Sequence, residues 1–233
     1  VTRLSSAVLD GFWNGAYMKG MFRYPEFRLR GQNLKCYRAE RLVFAGVDFV
    51  VGNGDALLLQ GRNGSGKSSL LRLLAGLLTA TSGELDWQGP DGGQGHLRYV
   101  GHAEALNLAL SCRENLGFWG DLWGAAQGAT DTALAHMALA AIADLPARFL
   151  SSGQRRRLAL ARLLLTPSPL WLLDEPTVGL DSASQAAITA AIDGHRQQGG
   201  AVVLATHVAL DLAADCRVLS LDDFQPATSD VMA

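Results

Sequence analysis

G-R-N-G-S-G-K-S, at residues 61–68, is the stretch that decides the fold of this chain. It fits the phosphate-loop pattern G-x-x-x-x-G-K-[ST] without a mismatch, follows the apolar run at residues 56–59 and precedes a helical pattern at residues 69–74. In such a strand, loop and helix, glycines let backbone N–H groups surround phosphate oxygens, and the helix N-terminus faces the same anion. The alternative is a glycine-rich turn with a chance lysine, which the flanking patterns disfavour. We therefore predict a nucleoside triphosphate site.

The loop also predicts which groups contact the nucleotide. Lys67 would reach the β- and γ-phosphates, which makes it a candidate catalytic residue as well as a binding one. The Ser68 hydroxyl is a candidate ligand of Mg²⁺, which prefers oxygen donors and keeps most of its waters. The residues expected to bind the nucleotide here are Gly61, Arg62, Asn63, Gly64, Ser65, Gly66, Lys67, Ser68 and Ser69. ATP and Mg²⁺ are accordingly the expected cofactors.

Length and composition limit the domain organisation and the partners. A chain of 233 residues with 48% hydrophobic content can bury one substantial core with a small subdomain, and is too short for two large domains. A net charge of -2 gives no general attraction to nucleic acid, so no nucleic-acid partner is expected. The three cysteines have neither a metal nor a disulfide spacing. Because neither a membrane-spanning run nor a secretory signal is found, we expect a soluble, cytoplasmic protein.

The chain divides into segments of different pattern. Residues 1–27 show no sustained period and are interpreted as a peripheral extension, whereas residues 29–60 alternate short β-type runs with turns. The turn-rich residues 83–97 are predicted to form a mobile or hairpin connection. An alanine-rich helical pattern opens at Ser111 with a candidate capping box, and we predict a small helical subdomain at about residues 103–160.

Later runs predict the remainder of a sheet. Residues 170–173 and 201–205 are continuously apolar, and a helical pattern at residues 182–198 separates them. Runs that are apolar on both faces are typical of parallel strands covered by helices. Residues 217–221 are a candidate further strand. The prediction is an α/β fold with a mainly parallel sheet core flanked by helices.

Two adjacent carboxylates, Asp174 and Glu175, directly follow the first of these runs. In a phosphate-loop protein, Asp174 would hold Mg²⁺ directly or through water, and Glu175 could orient or deprotonate the attacking water. The alternative is a solvated loop after a core strand.

Further motifs carry a family resemblance. L-S-S-G-Q at residues 150–154 resembles the L-S-G-G-Q signature of ATP-binding cassette ATPases, with Ser152 in place of the usual glycine. In the expected order, D-E-P-T at residues 174–177 resembles the end of the Walker B motif, G-L-D at 179–181 the D-loop, and A-T-H at 205–207 the switch histidine. Each short motif can arise by chance, whereas their ordered coincidence is specific.

The resemblance implies an organisation for most of the chain. It covers the sequence from about residue 29 onward and implies a phosphate-loop ATPase domain at residues 28–233, with an N-terminal antiparallel β part. In this family two subunits pack head to tail, as a homodimer or with a paired ATPase subunit. Ser151, Gly153 and Gln154 would then contact the nucleotide held by the partner, at a helix N-terminus.

The resemblance also implies roles for single residues. Glu175 would be the general base, His207 would hold the γ-phosphate and the water, and Asp181 of the D-loop would lie at the nucleotide. Without the family, His207 could equally be a core histidine. Tyr37 sits where the family places an aromatic that stacks on adenine, and its alternative is an ordinary tyrosine on a strand face.

His102 departs from the broad family, which usually has glutamine at this place. Imidazole matches a hard cation poorly, so direct contact with Mg²⁺ is not expected. His102 could instead bond the attacking water or the γ-phosphate, position the segment that follows, or pack at a strand end. That segment, residues 103–116, is where transporter ATPases receive the coupling helix of a membrane partner.

Variable positions refine the resemblance. Y-V-G-H at residues 99–102, L-S-S-G-Q-R-R-R at 150–157 and L-D-W-Q-G at 85–89 together resemble haem-exporter ATP-binding subunits of bacterial cytochrome c maturation. This implies integral membrane permease subunits, an indirect periplasmic haem chaperone, and a peripheral place on the cytoplasmic face of the inner membrane. The alternatives are an ATPase of another transporter, a cassette ATPase of translation or DNA repair, and a regulatory module without turnover.

Overall fold

Two β-sheets and the helices around them make up the described part of the chain. The computed structural model describes residues 23–89, 97–207, 210, 212 and 216–225. Its strands are β1 (Arg28–Arg38), β2 (Arg41–Gly52), β3 (Ala56–Gln60), β4 (Ser82–Gln88), β5 (Leu97–Val100), β6 (Leu170–Asp174), β7 (Ala201–Ala205) and β8 (Arg217–Ser220). Its α-helices are α1 (Lys67–Leu74), α2 (Cys112–Trp123), α3 (Ala129–His136), α4 (Ser152–Ala161) and α5 (Ser182–Gln197). Short 3-10 helices lie at Ala140–Ile142, Ala147–Phe149, Arg162–Leu164 and Leu221–Phe224.

The larger sheet is parallel and has the strand order β5-β6-β7-β3-β8. β6 and β7 are buried along their whole length, as their continuous apolar runs predicted. The candidate strand near the end of the chain is confirmed, because β8 pairs with β3. The carboxyl ends of β5, β6, β7 and β3 therefore meet at one edge of the sheet, which is where open α/β sheets bind ligands.

The smaller sheet is antiparallel and has the order β2-β1-β4. The prediction of a mobile or hairpin connection at residues 83–97 is wrong for its first part, since β4 is a regular strand that pairs with β1 over residues 82–88. β4 is a mostly exposed edge strand rich in polar residues, so it lacks the apolar alternation that identifies a half-buried strand. Trp87 anchors it by stacking on Phe27, with ring centroids 5.1 Å apart. Residues 90–96 of the predicted connection lie outside the described residues.

Hydrophobic clusters cover the two faces of the parallel sheet. Leu170 and Leu172 belong to a cluster with α1 and the antiparallel sheet, whereas Trp171 and Leu173 belong to a cluster with α4 and α5. All four side chains are at most 1% exposed. Burial of such a side chain contributes about 1.5–3 kcal/mol relative to leaving it in water. The sheet is thereby fixed from both sides, and the strand ends that carry the polar motifs stand on a packed core.

The helical region begins at the predicted capping box, which is confirmed. The Glu114 backbone N–H donates to Ser111 Oγ at 3.2 Å, and the Ser111 N–H donates to Glu114 Oε2 at 2.8 Å. Residues 103–160 contain α2, α3 and nearly all of α4, and buried apolar side chains of these helices share one hydrophobic cluster with the sheet. The boundaries of a helical subdomain stay a prediction.

Only the end of the predicted N-terminal extension lies within the described residues. Tyr24 and Phe27 are 7% and 6% exposed, and the Tyr24 backbone N–H donates to the Gln198 carbonyl at 2.8 Å. Residues 23–27 therefore pack onto the domain, while residues 1–22 lie outside the described part. The boundary at residue 27 stays a prediction.

His195, on α5, is a buried neutral histidine. Its ring lies flat on Trp171, with centroids 3.9 Å apart, and Nε2 lies 3.2 Å from the Ala201 carbonyl oxygen. A carbonyl can only accept, so this contact is a hydrogen bond in the tautomer that carries its proton on Nε2. Burial lowers the pKa of His195 to about 3, and this effect outweighs the bonds to backbone carbonyls that raise it.

We expect this histidine to make the protein less stable in mild acid. Below a pH of about 6.5 the unfolded chain binds a proton at His195 that the folded chain does not, so stability falls as the pH is lowered from there towards 3. The loss approaches about 1.4 kcal/mol per pH unit. Urea unfolding between pH 5 and 7.5 should show a flatter dependence for His195→Gln than for the wild type. His136→Gln, which changes an exposed histidine, is the control. The same pH dependence of stability in the wild type and both variants would contradict the prediction.

Candidate nucleotide and catalytic site

The phosphate loop joins β3 to α1 beneath β2. Gly66 is the N-cap of α1 and has a φ of 105°, in the left-handed region that glycine adopts without strain. A Cβ at this position would lie 2.7 Å from Val43 and 2.8 Å from Phe44, so glycine is required for the loop to pass under β2. The sequence pattern therefore has a steric reason here as well as a conformational one.

The N-terminus of α1 is suited to bind an anion. Helix α1 has no side-chain cap and no acidic residue in its first turn, so its N-terminal N–H groups and partial positive charge are not neutralised locally. Lys67 is 9% exposed, and its Nζ donates to the carbonyls of Gly61 at 2.6 Å and Arg62 at 3.1 Å. These contacts hold the ammonium group beside the loop.

One cavity of about 880 Å³ brings most of the predicted site residues together. The predicted residues that line it are Arg62, Asn63, Gly64, Gly66, Lys67, Ser68, Ser69, His102, Asp174, Glu175 and His207. Four neighbouring strands deliver them, because the loop follows β3, His102 follows β5, Asp174 ends β6 and His207 follows β7. Gly61 and Ser65 belong to the loop but are not among the described lining residues.

The turn after β6 has an unusual backbone. Glu175 has a φ of 50°, a left-handed conformation that raises the energy of a residue with a side chain by about 1–3 kcal/mol. Its N–H donates to the Ala205 carbonyl at 2.8 Å, which ties the turn to the end of β7. The His207 N–H donates to Glu175 Oε2 at 3.3 Å, and His207 Nε2 lies 3.6 Å from Glu175 Oε1. Glu175 and His207, two of the three residues predicted for catalysis, are therefore direct neighbours.

The signature residues lie outside the cavity of their own chain. Ser151 is exposed and is the N-cap of α4, where its Oγ accepts from the Gln154 N–H at 3.1 Å and its N–H donates to Gln154 Oε1 at 2.8 Å. A side chain at Gly153 would approach the Gly179 carbonyl oxygen to 3.1 Å. A helix N-terminus that faces outward is the arrangement that a site shared by two subunits needs.

Asp181 likewise caps a helix, α5. Its carboxylate accepts from the Ser184 N–H at 2.7 Å, and this bond lowers the pKa of Asp181. Asp181 is not among the described lining residues of the cavity, and its contact with nucleotide stays a prediction.

Comparison with known proteins agrees with this geometry. The family model described as ABC transporter matches residues 44–178. The chain belongs to the ABC transporter family. It is 49% identical over 205 residues to the cytochrome c biogenesis ATP-binding export protein CcmA of Rhodospirillum rubrum. This alignment covers 85% of this chain and 88% of that protein. It is 47% identical to the CcmA protein of Nitrobacter winogradskyi, over 80% of this chain and 95% of that protein.

Solved structures of ABC proteins share the fold. An ABC transporter ATP-binding protein from Pyrococcus furiosus superposes with a TM-score of 0.72 at 19% identity, covering 85% of this chain and all of the other. An ATP-binding cassette in its ADP conformation gives a TM-score of 0.64 at 22% identity, over 78% of this chain and 82% of that chain. The predicted fold and family are confirmed, and the chain is an ATP-binding protein of an ATPase family. Within the described residues, the helices are too short or too polar to span a bilayer.

Tyr37 is not among the described residues that line the cavity. It lies on β1, is 40% exposed, and has Lys35 Nζ 5.2 Å from its ring centroid. The side chains of Arg38 and Arg41 line the cavity instead, on either side of the turn between β1 and β2. Sequence reasoning missed both arginines, because an exposed turn with charged residues is usually only a solvated surface. Adenine stacking by Tyr37 stays a prediction.

Asp222 is a further residue that sequence reasoning missed. Its carboxylate accepts from the Arg62 backbone N–H at 3.1 and 3.2 Å, and it lies in the 3-10 helix after β8. No motif marks this residue, since the contact joins positions 160 residues apart.

The donor groups of the cavity fit Mg²⁺. Asp174 is 2% exposed, and its Oδ2 is a buried oxygen without a hydrogen-bond partner among the described residues. Ser68 supplies a hydroxyl to the same cavity. Within the described residues, His, Cys, Asp and Glu form no cluster of three that could hold a metal ion. One carboxylate and one hydroxyl, with waters and phosphate oxygens, suit a small hard cation better than a metal that needs a complete protein cage.

Proposed function

We propose that this chain is the ATP-hydrolysing subunit of a membrane exporter in cytochrome c maturation, which powers haem export or release of a haem-loaded chaperone. The observation that carries the proposal is the meeting of phosphate loop, Glu175 and His207 at one cavity, in a chain 49% identical to a cytochrome c biogenesis export protein. The cavity accounts for hydrolysis, and the relatives account for the process that hydrolysis serves.

We assign a residue to each step of hydrolysis. Lys67 and the N-terminus of α1 bind the phosphates, and Ser68 with Asp174 would hold Mg²⁺. When bound, the cation supplies charge neutralisation on the phosphate oxygens. Glu175 accepts a proton from the attacking water, and His207 donates a hydrogen bond that orients the γ-phosphate and the water.

The outward position of Ser151 supports a dimeric site. Two copies, or one copy with a paired ATPase subunit, would place Ser151, Gly153 and Gln154 against the γ-phosphate in the partner's loop. The N-terminus of α4 adds partial positive charge there, and ATP would lie between the subunits.

Exposed apolar side chains of the helical region support membrane partners. Leu108, Phe118 and Leu122 are 51%, 59% and 62% exposed, and they lie in or near the segment that would receive a coupling helix. We therefore place the permease subunits on this surface, and the ATPase on the cytoplasmic face of the inner membrane. An ATPase of another transporter would use the same surface, so the identity of the partners distinguishes the two readings.

Purification from detergent-solubilised membranes tests the proposal. Wild-type protein should recover multi-spanning subunits together with cytochrome c assembly factors, and Phe118→Asp should lose them while ATP binding is retained. Leu77→Asp is the control, because Leu77 is 66% exposed and lies after α1, in a different part of the fold. Recovery of translation or DNA-repair factors instead, with normal cytochrome c assembly in cells lacking the gene, would refute the proposal.

His102 should matter for coupling more than for binding. It is exposed and lines the cavity two residues after β5, so a hydrogen bond from it is worth only about 0.5–1.5 kcal/mol. His102→Ala should therefore leave ATP affinity largely unchanged and reduce partner-stimulated turnover. His102→Gln should retain more hydrolysis, because its carbonyl oxygen suits Mg²⁺. His102→Ala can be assayed for basal turnover, partner-stimulated turnover and cytochrome c assembly. Wild-type values in all three assays would show that His102 has no mechanistic role.

A further inference from the structure

Arg156, on α4, is buried and bonded to the backbone of two other segments. It is 5% exposed. Its guanidinium donates to the carbonyls of Asp174 at 2.6 Å, Glu175 at 2.9 Å, Pro176 at 3.3 Å and Gly101 at 2.8 Å. One side chain thus joins the helix that begins at the signature to the ends of β6 and β5.

The chemistry of these contacts suits backbone positioning. Burial lowers the pKa of Arg156, and the nearby carboxylates of Glu104, Asp174 and Glu175 oppose that effect. A buried charge is tolerated when it is fully hydrogen-bonded, and the planar guanidinium can serve several carbonyls at fixed angles. Because all its recorded acceptors are main-chain oxygens, Arg156 restrains where the chain runs.

The turn that Arg156 restrains is the turn at Glu175, whose backbone is strained. Glu175 has a positive φ, and hydrogen bonds hold its backbone on both sides. Its N–H donates to the Ala205 carbonyl at 2.8 Å, and its own carbonyl accepts from Arg156 at 2.9 Å. Without Arg156, the Glu175 carbonyl keeps the Val178 N–H, at 3.4 Å, as its recorded donor. We therefore expect the turn to relax and the carboxylate to leave its place beside His207. The bond to Gly101 fixes the residue immediately before His102 in the same way.

We propose that Arg156 is a positioning residue for hydrolysis, which holds the Glu175 turn and the Gly101 carbonyl in register with the signature helix. The inference rests on the proposed ATP hydrolysis and assigns no contact between Arg156 and nucleotide. Displacement of a catalytic group by about 1 Å lowers turnover by about 100-fold, so the effect belongs in kcat.

The neighbouring arginine supplies a matched control. Arg157 donates to the carbonyls of Met137 at 2.9 Å and Ala138 at 3.4 Å, which lie at the end of α3 and beyond it. Like Arg156, it lies on α4, carries a positive charge and donates to main-chain carbonyls, but its acceptors belong to the helical region and not to the ends of β5 and β6.

Steady-state kinetics of the purified protein with ATP give the first test. Arg156→Lys keeps the charge and loses the planar fork, and Arg156→Gln keeps a planar amide without charge. Both should lower kcat about 10- to 100-fold with ATP affinity, measured by binding of a fluorescent ATP analogue, within about twofold of wild type. Arg157→Lys should change kcat by less than about threefold. Wild-type kcat in both Arg156 variants would overturn the inference alone, whereas an inactive wild-type protein would overturn the proposed function as well.

A double-mutant cycle separates positioning from folding. In the Glu175→Gln background, Arg156→Lys should lower the residual turnover by less than about twofold, because the group that it positions is already absent. ATP-driven dimerisation and the thermal midpoint, read on the same samples, should stay near those of Glu175→Gln. Equal losses of turnover in both backgrounds, or losses that follow ATP affinity and thermal midpoint, would mean a folding role only and would overturn the proposal.

Discussion

Glu175→Gln should lower ATP turnover by about 100- to 10,000-fold while ATP binding persists, because it removes the positioned general base. The amide has nearly the same shape as the carboxylate, and its oxygen can still accept the His207 N–H that bonds Glu175 Oε2 at 3.3 Å. The turn should therefore keep its conformation. ATP that binds and is not hydrolysed should hold two copies together.

Size-exclusion chromatography with ATP measures this directly. The variant should elute as a dimer with ATP and as a monomer without nucleotide, while the wild-type dimer decays as ATP is consumed. Glu84→Gln is the matched control, because it changes an exposed carboxylate on the edge strand β4. A Glu175→Gln protein that stays monomeric and hydrolyses at the wild-type rate would remove the general-base role.

Lys67→Ala should weaken both ATP binding and hydrolysis, since the loop loses its fixed cation. Hydrogen bonds to charged groups contribute about 1.5–3 kcal/mol, so affinity should fall about 10- to 100-fold. The carbonyls of Gly61 and Arg62 also lose a donor, which loosens the loop around the phosphates.

Titration with a fluorescent ATP analogue gives the affinity of the monomer. Arg113→Ala serves as control, because it removes an exposed cation that pairs with Asp131 and Asp144 in the helical region. Equal affinities of the wild type and Lys67→Ala for the analogue would show that Lys67 does not bind the phosphates.

The predictable parts of the fold are those where local pattern and burial coincide. β3, β6 and β7 are apolar on both faces, so their sequences alone indicate central parallel strands. The phosphate loop is equally predictable, because each of its glycines meets a backbone demand that no other residue satisfies as well. β4 was not predictable, since an exposed edge strand has no buried face to impose alternation.

Parts of the site depend on tertiary contacts that no local pattern reveals. R-R-R at residues 155–157 does not show which arginine points inward, and the structure buries Arg156 among carbonyls at the ends of β5 and β6. Asp222 reaches the loop from the far end of the chain. His195 follows a polar helical pattern, yet a buried tryptophan covers its ring. In each case the partner lies far away in sequence.

The central claim is that two chains build each hydrolytic site, one through Lys67 and the other through Ser151. Lys67→Ala and Ser151→Ala should each have low turnover alone, and Ser151→Ala should keep near wild-type ATP affinity as a monomer. In a mixture, the mixed dimer has one intact site and one site with both lesions. Random pairing at equal concentrations should then restore turnover to about a quarter of the wild-type value. Turnover of the mixture that never exceeds that of either variant alone would contradict the account.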